Sequence, residues 1–194
     1  MANRCDTTYK ITGEKTAVNN LYNALQSLGA SGDKIWLCDL AKHYGIDYEK
    51  KCICVRGVVY FYGCEDFREG LALLTIDTDT AWSACHELFE TINCKLEDEL
   101  SISYREIEPG EDIYCVHDEQ GFFPEQCCVS CSGEDFGDWC EEFFPTVEDA
   151  IKHWCEKMNY KREGETTEQM EKIIGEWKYE CSDTYFYINH IIFE

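Results

Sequence analysis

The sequence predicts an α+β protein, with helices covering one face of a mainly antiparallel sheet. Three observations carry this. The opening "CDTTYKITG" alternates, Cys5, Thr7, Tyr9 and Ile11 against Asp6, Thr8, Lys10 and Thr12, as a half-buried strand does. A helix pattern follows at once, with Val18, Leu21, Tyr22, Leu25 and Leu28 at helical spacing and Gly29 as its stop. The same order then returns: "GLALLTIDT" alternates, and Cys85, Leu88, Phe89 and Ile92 form the next apolar stripe.

Between these pairs, residues 31–68 are less regular and read as an insertion that extends the sheet. Within it "IWLCDLAKHYGI" suits a short helix, and "KCICVRGVVYFYG" suits one or two strands broken at Gly57. After the second helix, Leu100, Ile102 and Tyr104 alternate up to Glu108-Pro109-Gly110-Glu111. Pro followed by Gly predicts a type II turn joining two antiparallel strands, because Gly tolerates positive φ. Beyond an acidic loop near "SGEDFGD", two helices follow, one on Val147, Ala150, Ile151, Trp154 and Met158, the other on Met170, Ile173, Ile174 and Trp177. Thr146 with Asp149, and Thr166 with Gln169, have capping-box spacing. The closing "TYFYINHIIF" is apolar on both faces and reads as an internal strand. The expected organisation is a first domain over 1–130, and an acidic loop with a helix-helix-strand extension packed on it over 131–194.

Charge is the strongest global feature. The chain carries 39 Asp and Glu against 17 Lys and Arg, and the imbalance sits in the second half. Residues 1–97 hold 14 acids and 10 bases; residues 98–194 hold 25 and 7. Between Arg105 and Lys152 there are 14 acids and no base, which repels a phosphate backbone and argues against direct nucleic-acid binding. No apolar run has membrane-spanning length, and "MANRCDTTYKITG" lacks the apolar core of an export signal. A soluble cytoplasmic protein without a membrane partner is expected, its 14 cysteines reduced and packed as small hydrophobes.

The strand and helix at the start, then "TIDTDTAWSACHELFE", then "LSISYREIEPGEDIYCV" together resemble the YubB-type ferredoxin-like domain of plasmid and phage proteins. Thr80-Ala81-Trp82-Ser83, Tyr104 and Glu106 carry the match; Ala84 and Cys85 stand where that family usually has prolines. The resemblance covers about the first two-thirds of the chain. It implies a ferredoxin-like sandwich and an accessory protein of a mobile element, in a family with no established enzymatic role.

Several groups present themselves as sites. Asp77-x-Asp79 after an apolar strand is how some metal-dependent phosphotransferases place a nucleophile and an acid, but Ala81 breaks that motif. The preferred reading is a turn before a helix, with both aspartates near the helix's positive end, Ser83 as N-cap and Trp82 as hydrophobic staple. Cys115-x-His117 and Cys128-x-x-Cys131 have spacings that could hold a structural zinc, although Cys115 and His117 sit two apart, as ordinary core residues of a strand also do. Cys85 beside His86 does not make a nucleophile and base, since helical neighbours point apart. The remaining candidate is the acidic run, interleaved with Phe136, Trp139, Phe143 and Phe144. Carboxylates beside aromatics attract Lys/Arg-rich surfaces. Glu134, Asp135, Asp138, Glu141 and Glu142, with Trp139 as anchor, are therefore expected to bind a basic protein, of the kind whose surface can itself hold nucleic acid. The alternatives are a small metal-dependent enzyme or zinc-stabilised domain, and a structural or oligomerisation module built on the closing strand.

Overall fold

A computed structural model describes residues 3–97 and 99–194, apart from the side chain of Asp138. The chain divides into two compact units, Met1–Phe122 with Glu194, and Phe123–Phe193.

In the first unit, β1 (Arg4–Glu14) leads into α1 (Lys15–Gly29), whose buried residues Ala17, Val18, Leu21, Ala24 and Leu25 trace one face. The stretch from Ala30 to Arg56 forms β2 (Ile35–Trp36) and two short helices, α2 (Leu37–His43) and α3 (Tyr48–Lys51). The expected insertion is therefore shorter than 31–68. Its last part, β3 (Gly57–Arg68), is a full strand that forms a long hairpin with β4 (Leu71–Ala81). Gly57 is required there, because a Cβ would sit 2.5 Å from the Asp79 carbonyl oxygen. Next come α4 (His86–Lys95), β5 (Leu100–Glu108) and β6 (Ile113–His117). The turn between β5 and β6 is not type II: Pro109–Glu111 is a short 3-10 turn, and the positive φ of 55° falls on Asp112, not on Gly110.

The six strands of this unit are hydrogen-bonded in the order β6-β5-β1-β4-β3-β2. β1 is central and antiparallel to both neighbours, with Tyr9 opposite Ile76 on β4 and Tyr104 on β5. Tyr9, Ile11, Leu74 and Ile76 pack with α1 and α4 residues such as Leu21, Leu25, Leu88 and Phe89 in one core. Each such side chain removed from water contributes about 1.5–3 kcal/mol before the entropy of ordering it is charged. This stripe burial is what fixes the helices to one face.

The second unit is a three-stranded antiparallel sheet, β8-β7-β9, built from β7 (Cys127–Gly133), β8 (Gly137–Phe144) and β9 (Tyr185–His190). The helices α5 (Val147–Lys157) and α6 (Thr167–Gly175) join the strands in a second core around Trp154, Met170 and Phe186. Thr146 accepts from the Asp149 N–H, and Thr166 and Gln169 complete a reciprocal capping box, as their spacing predicts. Two expectations fail. A boundary at residue 130 would cut β7, which pairs with β8 and β9 and so belongs wholly to this unit. The closing segment is also not one internal strand: β9 lies at a sheet edge with Tyr187 exposed, and a separate β10 (Ile192–Phe193) follows.

Candidate functional site

The acidic residues predicted to bind a partner fall on the β7–β8 hairpin, Glu134 and Asp135 in its turn and Asp138, Glu141 and Glu142 on β8. Cys131 lies opposite Cys140 and Gly133 opposite Gly137, and the exposed Glu134 and Asp135 form the connection. Alternation along β8 puts Trp139, Glu141 and Phe143 on one face, and Cys140, Glu142 and Phe144 on the other. Cys140 and Phe144 join the second core, and Glu142 comes within 4.0 Å of His153 on α5. Trp139 is 62% exposed. The structure thus groups Glu134 and Asp135 at the tip, places the exposed Trp139 and the half-buried Glu141 on one face of β8, and places the exposed Glu142 on the other. The side chain of Asp138 lies outside the described residues.

Asp77 and Asp79 are not in a turn before a helix. Both lie within β4 on the face opposite the helices, while Leu74, Ile76, Thr78 and Thr80 point into the core. Asp77 accepts from the Thr8 and Tyr62 hydroxyls at 2.8 and 2.7 Å, and Asp79 takes the Arg4 guanidinium. Ser83 is not the cap either. α4 begins at His86 after Cys85, without a side-chain cap, and Trp82 stands half exposed at φ 77° where a staple would be packed. The reason is tertiary: the N–H of Ala84 at this helix start donates 2.7 Å to Glu106 from β5.

Cys115 and His117 share one face of β6, opposite Glu106 and Tyr104. Burial first, and Glu194 second, push the Cys115 thiol up to about 11. Cys128 and Cys131, three apart on the single strand β7, project from opposite faces. Among the described residues no three His, Cys, Asp or Glu side chains are grouped as a metal ion needs.

One cluster escaped the sequence reading. Glu106 is buried, and its Oε1 accepts from Ala84 N–H and, at 3.3 Å, from the Cys5 thiol. Its Oε2 lies 2.9 Å from His86 Nε2, which assigns the proton to Nε2 because a carboxylate only accepts. In the neutral ring His86 Nδ1 then accepts from the Tyr9 hydroxyl at 3.1 Å. Burial raises the Glu106 carboxyl, but His86, the Ala84 amide and Cys5 outweigh it and hold the group below the usual carboxylate range. Burial likewise pushes Cys5 up to about 12, so that it remains a donor, and drives Tyr9 well above its ordinary value. Both ring nitrogens of His86 are thus engaged, and Tyr9 is shut from solvent. As it stands the cluster is a closed hydrogen-bond chain that ties α4 to β1 and β5.

Tyr104 stacks on His86 with ring centres 3.8 Å apart and faces His117 at 5.4 Å. These rings, with Tyr9, Glu90, Asn93, Leu100 and Ile102, line a pocket of about 220 Å³. Asn93 is committed to the backbone of Leu100 through both its amide groups. The signal for Glu106 was present in the sequence: the alternation Leu100, Ile102, Tyr104 points it inward when continued by one step.

Comparison of the chain with protein-family models, with curated proteins and with solved structures finds no match.

Proposed function

We propose that the protein is a non-catalytic binding protein whose acidic hairpin docks on a basic protein partner. The observation that carries this reading is the placement of Trp139. It stands largely exposed on β8, an edge strand, with Glu141 on the same face and Glu134 and Asp135 at the adjoining turn. Exposed indole surface flanked by carboxylates suits Lys and Arg side chains, through their apolar stems as well as their charge. An edge strand also offers unpaired backbone groups to an extended segment of a partner. The run of 14 acids without a base keeps the local field of one sign.

The order β5-β1-β4-β3, with α1 between β1 and β3 and α4 between β4 and β5, supports reading the first unit as a ferredoxin-like domain of the YubB type. On that analogy the protein is an accessory factor of a plasmid or phage, acting in the cytoplasm. Among the described residues no helix is long and apolar enough to cross a membrane.

The test is a titration of the full chain with a synthetic peptide of alternating lysine and valine, at rising salt. Binding should weaken steeply with salt, and the triple variant Glu134→Lys, Asp135→Lys, Glu141→Lys should lose it while keeping its circular dichroism. Salt-insensitive binding, or binding retained by the triple variant, refutes the proposal. Capture from the native host at low salt, with elution by salt, then identifies the physiological partner.

A further inference from the structure

Cys131 and Cys140 face each other across the β7–β8 hairpin, and their sulfurs are 3.0 Å apart. Directly opposed residues of antiparallel strands have Cβ atoms about 4.5–5.5 Å apart, close to the roughly 3.5–4.5 Å that a disulfide spans. The other candidate pair on this strand, Cys128 and Cys131, is divided between two faces. Cys131 is buried, whereas Cys140 is half-buried at the edge strand and closer to solvent.

We propose that Cys131 and Cys140 form a reversible redox pair, oxidised to an intramolecular disulfide by exchange with a low-molecular-weight disulfide of the oxidised glutathione class. The thiolate of Cys140 attacks one sulfur of the small disulfide, whose S–S bond breaks and releases one thiolate that takes up a proton. The Cys131 sulfur then attacks Sγ of Cys140 as its proton passes to solvent, and the second small thiol leaves. Two protein thiols are oxidised and one small disulfide is reduced to two thiols. Burial first, and Cys140 second, push the Cys131 thiol up to about 12, so the first attack falls to the less buried Cys140 and Cys131 reacts only once the mixed disulfide is held beside it.

The bond closes the loop that holds Glu134, Asp135 and Trp139 and stands whether or not that loop binds a basic partner. In a reducing compartment the dithiol is the resting form, and oxidation is a transient, signal-type modification.

The test is equilibration of the full chain in glutathione buffers of graded redox poise, alkylation of the remaining thiols, and non-reducing peptide mapping. The expected result is a Cys131–Cys140 cross-link that forms at a more reducing poise than any other protein disulfide. In a Cys140→Ser variant, Cys131 should remain a free thiol. Three results overturn the proposal: Cys140 held only as a glutathione adduct, Cys131 joined to another cysteine, or both thiols still reduced when the exposed Cys52 and Cys54 are modified. Circular dichroism of the variant checks that the hairpin is intact.

Discussion

Replacing Glu106 with leucine removes the acceptor for three donors at once: the Ala84 amide at 2.7 Å, His86 Nε2 at 2.9 Å and the Cys5 thiol at 3.3 Å. A hydrogen bond to a charged group contributes about 1.5–3 kcal/mol, so the amide and imidazole bonds together carry about 4 kcal/mol. The imidazole is roughly a quarter exposed, and water recovers part of its share, which leaves an expected loss of about 3 kcal/mol. Glu106→Gln is milder, about 1–2 kcal/mol, because the amide oxygen can still serve Ala84. Its NH2 then meets His86 Nε2, so the imidazole must change tautomer and donate from Nδ1 to the Tyr9 oxygen. Urea unfolding measures the losses, and nitrogen NMR of the His86 ring reports the tautomer. The pH dependence has a definite sign. Because folding lowers the Glu106 pKa, its contribution is present above the unfolded carboxyl value and is lost as pH falls through the folded one. Glu106→Gln should therefore flatten the acid limb of the stability curve. A Glu106→Leu protein within about 0.5 kcal/mol of the parent would refute this account, as would an Nδ1–H tautomer in the parent.

Two further changes probe the frame. Thr166→Ala removes the hydroxyl that accepts from the Gln169 N–H and should cost about 1 kcal/mol in urea unfolding, whereas an unchanged midpoint would remove the capping box as a contributor. Gly57→Ala puts a methyl 2.5 Å from the Asp79 carbonyl oxygen and 2.9 Å from Thr80 Cα, so backbone must move; a loss of about 1–3 kcal/mol is expected, and a neutral result would show that the β3–β4 hairpin opens without strain.

Much of the frame was legible in the sequence because it rests on local rules. The stripe of α1, the alternation of β1 and β4, and the cap of α6 all appear where spacing places them. The loop expected near "SGEDFGD" rests on Gly133, Asp135, Gly137 and Asp138 being poor strand formers, and pairing of β7 with β8 overrides that preference at both its ends. The start of α4 was misread for a related reason. Local chemistry nominated Ser83, whereas the acceptor that serves Ala84 comes from 22 residues away. The same long reach hid the Tyr9–His86–Glu106 chain, since no short motif links three residues on three elements. Of the acidic candidates, composition could identify the segment, but only the strand's alternation separates Glu141 from Glu142.

The inward Glu106 has a consequence for how the sheet chooses its partners during folding. β5 presents Arg105, Glu106 and Ile107 in succession, and Glu106 alone stands opposite Thr7. A slip of one residue would turn Arg105 or Ile107 toward that spot and reverse every other side chain of the strand. A slip of two would keep the faces but press the Glu106 carboxylate against the Tyr9 ring, in the apolar core and away from the Ala84 amide. Only the native alignment gives the charge its three donors. The same group that stabilises the native fold can thus also reject the neighbouring mispairings, because each of them leaves a charge buried without its partners.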